Sequence, residues 1–132
     1  SVKWASCNVG AHSSESYGSY YTWSETNNIE WSDNWRMPTA SEMRELRDNC
    51  DWRWTNVNGI YGYRVTGKNG NSIFLPASGF KLNNRTFDEG SYGYYWSSGS
   101  GSQANYLEFN SYDYDINGSE PTYGCTVRPV RP

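Results

Sequence analysis

Aliphatic side chains are scarce in this sequence. The 132 residues include four Leu, four Ile and six Val, and the four Phe add little. In an ordinary composition so few core formers would mark a disordered chain. No apolar run approaches the roughly 20 residues that a membrane-spanning helix needs, and the mean hydropathy is −0.89. Direct membrane insertion is therefore not expected. Positive charge is missing altogether from Gly90 to Val127, the net charge is −3 and the pI is near 5.1. That balance argues against nucleic acid or an anionic membrane as the main partner.

Histidine occurs once, as His12 in a Gly- and Ser-rich stretch, so a Ser–His or Cys–His nucleophile pair would have to use it. Closely spaced Cys and His for zinc are absent, as is a phosphate-binding glycine motif. Glu42 and Glu45 fall on the exposed face of a helix, where carboxylates serve solubility. The expectation is a protein that is not an enzyme and needs no cofactor. Three cysteines, Cys7, Cys50 and Cys125, leave at least one unpaired within the chain. A Cys7–Cys50 disulfide would suit an exported protein, and three free buried thiols are the alternative.

What the chain has in abundance is aromatic rings: seven Trp and twelve Tyr. Each buried ring removes roughly 150–250 Å² from water, so a few replace many aliphatics. The length supports one domain, residues 1–132, folded around an aromatic core. No leader is visible, and Ser1-Val2-Lys3-Trp4 reads as the inside of a domain, which fits removal of an upstream region.

Short strands are expected at Val2–Cys7, Tyr94–Ser97, Tyr106–Phe109 and Thr126–Val130. Residues 8–34 read as loop, pinned to the core by Tyr17, Tyr20, Tyr21 and Trp23. After Pro38, Thr39 and Glu42 form a capping box, and Met43, Leu46 and Cys50 share one helical face. Asp51-Trp52-Arg53-Trp54 alternates as a strand does. Tyr61–Thr66 and Ser72–Leu75 form a hairpin, with Asn69-Gly70 supplying the positive-φ residues of its turn. Many short strands with one good helix make an α+β fold.

After Ser97 the chain changes character, and residues 99–125 are dominated by Ser, Gly, Asn, Tyr and Asp. Large amphipathic Tyr rings among adaptable polar side chains are the vocabulary of antibody binding loops. In Tyr106-Leu107-Glu108-Phe109-Asn110, Leu107 and Phe109 are expected in the core, with Tyr106, Glu108 and Asn110 facing outward. The expected ligand-binding residues are Tyr106, Glu108, Asn110, Tyr112, Asp113, Tyr114, Asp115, Asn117, Ser119, Glu120, Tyr123 and Cys125. Trp4, Trp23, Trp35, Trp52, Trp54 and Trp96 are assigned to the scaffold. Asp113-Tyr114-Asp115-Ile116-Asn117-Gly118 matches the first half of an EF-hand loop, with Asp113, Asp115 and Asn117 as calcium ligands. The twelfth position is Gly124 where a Glu is required, so the turn reading of these residues is preferred.

Several strings resemble a known family. They are Val2-Lys3-Trp4-Ala5-Ser6-Cys7-Asn8-Val9-Gly10-Ala11, Trp35-Arg36-Met37-Pro38-Thr39, Phe74-Leu75-Pro76-Ala77-Ser78-Gly79, Gly93-Tyr94-Tyr95-Trp96-Ser97-Ser98 and Thr126-Val127-Arg128-Pro129-Val130. In this order they resemble the Fibrobacter succinogenes major paralogous domain, carried by many exported proteins of Bacteroidota. The resemblance implies a C-type-lectin-like fold of the variety shared with formylglycine-generating enzymes, in which the first and last strands pair. The enzyme branch uses a closely spaced cysteine pair, which Cys125 lacks. Calcium-dependent lectins of the superfamily carry Glu-Pro-Asn and Trp-Asn-Asp; Glu120-Pro121-Thr122 nears the first and the second is missing.

The chain is also similar to the variable proteins of diversity-generating retroelements, found in phages, bacterial surface proteins and pilus-tip adhesins. In those proteins the segment between a Tyr-Trp-Ser-Ser-like string and a Val-Arg-Pro-Val-like ending is mutated at template adenines. That process yields the residue mixture of 99–125, including Cys125. The implied function is non-catalytic binding of a protein or cell-surface glycan by an exported, cell-surface or phage-particle domain. A surface or pilus building block without its own ligand is the second reading, and a calcium-dependent sugar lectin the third.

Overall fold

The structure, a computed structural model, describes residues 2–98, 104–118 and 120–132. In chain order the elements are strand β1 (Lys3–Trp4), a 3-10 helix (Ser24–Asn28), helix α1 (Ala40–Asn49), β2 (Asp51–Val57), β3 (Ile60–Thr66), β4 (Ser72–Pro76), β5 (Phe80–Leu82), β6 (Arg85–Phe87), β7 (Gly93–Ser97), β8 (Asn105–Phe109), β9 (Tyr114–Gly118) and β10 (Val130–Arg131). They form four small antiparallel sheets, β1-β10, β2-β3-β4, β5-β6 and β7-β8-β9. The fold is α+β, and the first and last strands pair, Lys3 opposite Arg131 and Trp4 opposite Val130. Among the described residues no helix is long and apolar enough to cross a membrane.

Helix α1 begins where its capping box requires. The Thr39 hydroxyl accepts from the Glu42 N–H at 3.1 Å, and the Glu42 carboxylate accepts from the Thr39 N–H at 2.8 Å. Arg36 then grips both oxygens of Glu42 at 2.8 Å each. This fork holds the carboxyl well below its ordinary range, at about 2, with the Thr39 N–H assisting. Met43 and Leu46 point from the helix into the core, and Cys50 packs beside them.

Three hairpins follow from their turns. Asn58 and Gly59 take φ of 51° and 88° between β2 and β3, and Asn83 and Asn84 take 51° and 64° between β5 and β6. Both are two-residue turns whose positive φ matches the strand twist. The β3–β4 hairpin forms as expected, but only Gly70 of its turn has positive φ (87°); Asn69 instead accepts from the Asn71 N–H at 2.9 Å. The expected strand over Thr126–Val130 is reduced to Val130–Arg131. Gly124, Cys125 and Thr126 bridge to Lys81, Tyr21 and Tyr95 in turn, so the segment is shared among three partners and builds no single ladder.

The central sheet β7-β8-β9 divides the interior. Tyr95, Leu107 and Phe109 face a first core with Met43, Leu46, Tyr63, Val65 and Leu75. Tyr94, Trp96 and Tyr106, the alternate residues, face a second core with Ala104, Cys125 and Val127, covered by Trp23, Tyr21 and Phe80. Because β7 lies between two cores, all five of its residues are buried. Gly93 is required there, since an added Cβ would lie 2.1 Å from the Phe109 ring.

Candidate functional site

The late Tyr-rich segment folds as a hairpin at the edge of the central sheet. Its strands β8 and β9 pair from Asn105 opposite Gly118 to Phe109 opposite Tyr114. The tip closes through Asn110, whose side-chain oxygen accepts from the N–H groups of Tyr112 (2.8 Å) and Asp113 (3.1 Å), and whose own N–H donates to the Asp113 carbonyl at 2.9 Å. Tyr112 projects from this tip with 94% of its surface exposed.

The outward side of the hairpin carries two cross-strand rows, Tyr94–Glu108–Asp115 and Trp96–Tyr106–Asn117. At the β7 end these rows are roofed by the second core, and toward β9 they emerge into solvent. Glu108 is half-buried, and its carboxylate accepts from the Asn117 amide at 3.0 Å. Asp115 is exposed and accepts from Arg47 of α1 at 2.7 Å. Glu120 is exposed, and Tyr123 is half-buried, stacked on Phe80 at 4.1 Å between ring centres. Phe80 in turn stacks on Phe87, which is 37% exposed. The result is an acidic face with amide and phenol groups on a floor of packed rings.

Some expected site residues do not reach that face. Tyr106 has the predicted parity, but its side of the sheet is the second core: it is 5% exposed, with its ring edge-on to Trp96 at 5.6 Å and Tyr94 at 5.7 Å. Burial pushes its phenol up to about 12, and nearby Glu108 adds to the effect. Cys125 is fully buried, and burial raises its thiol far above the usual range, so it offers no thiolate. Tyr114 turns inward and lies flat on Trp52, 4.3 Å between centres and 5° between planes. Ser119 and the 99–103 part of the expected binding region lie outside the described residues.

Asp113 through Gly118 form no loop, because Tyr114–Gly118 is strand β9 and Asp115 is bonded to Arg47. The turn preferred for this stretch is therefore confined to the tip before Tyr114, and the rest of it is strand. Cys7 and Cys50 are both free, with no disulfide between them: the Cys7 thiol donates to the Ala11 carbonyl at 3.4 Å, and Cys50 sits against the first core. Phe80 and Phe87 were not anticipated at the site's edge. Asn83-Asn84, a pair suited to a two-residue turn, is the signal that could have revealed their hairpin.

Compared with known proteins, the chain matches no family model, no curated protein and no solved structure.

Proposed function

We propose that this chain is a non-catalytic ligand-binding domain of C-type-lectin-like fold, whose β8–β9 hairpin recognises a protein or cell-surface glycan. One observation carries this reading: the hairpin presents exposed Asp115, Asn117 and the tip residue Tyr112, with Glu108 half-buried beside them, over a floor of buried rings. A binding surface needs side chains that are free to contact a partner and a backbone that does not reorganise on contact. The motifs in the Val2–Ala11, Trp35–Thr39 and Thr126–Val130 segments support the fold, as does the pairing of β1 with β10. The contact residues are Glu108, Asn110, Tyr112, Asp113, Asp115, Asn117, Glu120 and Tyr123.

The same geometry suits a segment diversified by a retroelement. Outward positions 108, 115 and 117 and the tip 110–113 project away from the first core, whereas Leu107, Phe109, Tyr114 and Ile116 pack into it. Variation is then confined to the first group, and sequencing the locus tests this. A near-identical template repeat should place adenine-rich codons at the outward positions; the lack of a repeat and of a nearby reverse transcriptase would remove diversification. Ligand binding is tested separately, by screening arrays of glycans and cell-surface proteins with the natural chain and with an E108A/Y112A/N117A variant. Binding that the variant retains in full would refute the hairpin's role.

A further inference from the structure

A concave feature opens beside the hairpin tip, between the two three-stranded sheets. This shallow cleft, about 370 Å³, is lined by Trp54, Tyr61 and Tyr92 together with Asn110, Ser111 and Tyr112 of the hairpin tip. Its size falls at the small end of the roughly 300–1,000 Å³ usual for small-ligand sites. Among the described residues three large hydrophobics are conspicuously exposed, and two of them, Tyr61 (48%) and Tyr112 (94%), line this one cleft. Trp54 and Tyr61 stack nearly parallel, 9° between planes and 6.1 Å between centres, and both line the cleft.

We infer that this cleft binds one or two residues of a neutral saccharide. The ring faces carry negative quadrupole charge and attract the polarised C–H groups on the apolar face of a pyranose. Asn110 supplies the complementary polar group. Its side-chain oxygen is occupied by the tip turn, which fixes the amide, and its Nδ2 makes no hydrogen bond to a described residue. Ser91 and Ser111 line the same cleft, and among the described residues no charged one does. A lining of rings, amide and hydroxyls without an ion pair matches a ligand that is amphipathic and uncharged. An anionic or cationic ligand would find no compensating charge there.

This inference rests on the binding reading above and deepens it by naming a ligand class. It also divides recognition between two parts of the chain. Trp54, Tyr61 and Tyr92 precede the Tyr-rich segment, whereas Asn110, Ser111 and Tyr112 belong to it. A fixed aromatic wall would thus hold the sugar while the hairpin tip adjusts the specificity.

The test is NMR titration of the 132-residue chain with neutral mono- and oligosaccharides, with a sialylated trisaccharide and with tetralysine. A neutral sugar is expected to shift the Trp54 indole N–H and to receive saturation transfer on the C–H protons of one pyranose face. Y61A and Y112A should each weaken that sugar at least tenfold. N110D, which keeps the turn acceptor and removes the amide donor, should weaken it as well. K68A, at the exposed turn between β3 and β4 and outside the cleft lining, should leave the Trp54 response unchanged. The inference is overturned if no neutral sugar moves Trp54 at millimolar concentration, if Y61A and Y112A bind as the natural chain does, or if tetralysine moves Trp54 as strongly. Should array binding still require Glu108 and Asn117 while sugars leave Trp54 unmoved, the cleft alone fails and the broader binding reading stands.

Discussion

Arg128 and Asn8, 120 positions apart in sequence, meet in the interior: the Arg128 Nε donates to the Asn8 Oδ1 at 2.8 Å, with Arg128 0% and Asn8 1% exposed. The guanidinium also donates to the Phe74 carbonyl at 2.7 Å and the Ala5 carbonyl at 3.2 Å. Asn8 in turn donates to the Tyr17 carbonyl (2.9 Å) and the Tyr95 hydroxyl (3.1 Å), and Tyr95 donates to the Pro76 carbonyl (2.7 Å). One buried cation thus ties the N-terminal loop, β4 and β7 to the end of the chain. Among the described residues no carboxylate pairs with Arg128, and burial lowers its pKa, so the neutral acceptors must replace its hydration. Replacing it with Lys removes the fork that reaches several acceptors at once. R128K and R128A are expected to lose about 3–5 kcal/mol, as when one partner of a buried charged network is removed. Denaturant unfolding measures this; a loss under about 1 kcal/mol would show that the network does not hold the fold.

The tyrosines of the late segment divide into floor and surface. Y106A removes a ring packed between Trp96 and Tyr94 and should destabilise by about 3–5 kcal/mol, as other buried rings do. Y112A, at a residue 94% exposed, should stay within about 0.5 kcal/mol of the natural chain. Thermal melts of the two variants check this, and equal melting temperatures would contradict the assignment.

Acid should weaken the helix start before the rest of the fold. Glu42 has its pKa lowered from 4.5 to about 2 by Arg36 and by the Thr39 N–H. A depressed carboxyl contributes stability that is complete above the unfolded value and is lost as pH falls through the folded one. E42Q keeps a capping-box acceptor but loses the charge, so at neutral pH it should cost about 1–2 kcal/mol. That difference should shrink as pH falls from 4.5 toward about 2. Denaturant titrations across this range measure it; a difference independent of pH would remove the ion pair from the account.

The three thiols should all label without reductant once the chain is unfolded. In the folded protein Cys125, fully buried with its thiol pushed up, should resist labelling throughout. Mass spectrometry of labelled protein checks both; fast labelling of Cys125 under native conditions would mean that the second core opens.

Helix α1 was legible because its signals are local, a capping box beside two apolar residues on one face. The β3–β4 hairpin was legible for the same reason. Tyr106 shows where local reading stops. Period two placed it correctly opposite Leu107, but its exposure depended on a second core assembled from Val9, Tyr21, Trp23, Trp31 and Met37, distant in sequence. Tyr114 required the register with β8, which fixes its inward side. Trp54 reads as scaffold and does pack on Tyr63 and Phe109, yet with Tyr61, on which it stacks, it also lines a cleft completed by the distant hairpin tip.

The central claim, that the outward face of the hairpin is the binding surface, is tested most directly by comparing the natural chain with E108A/Y112A/N117A. Both would be applied to immobilised glycans and cell-surface proteins, with melting temperatures recorded alongside. The account predicts binding by the natural chain and its loss in the variant, with the melting temperature nearly unchanged. Full binding by the variant, or loss of binding only through unfolding, would contradict it.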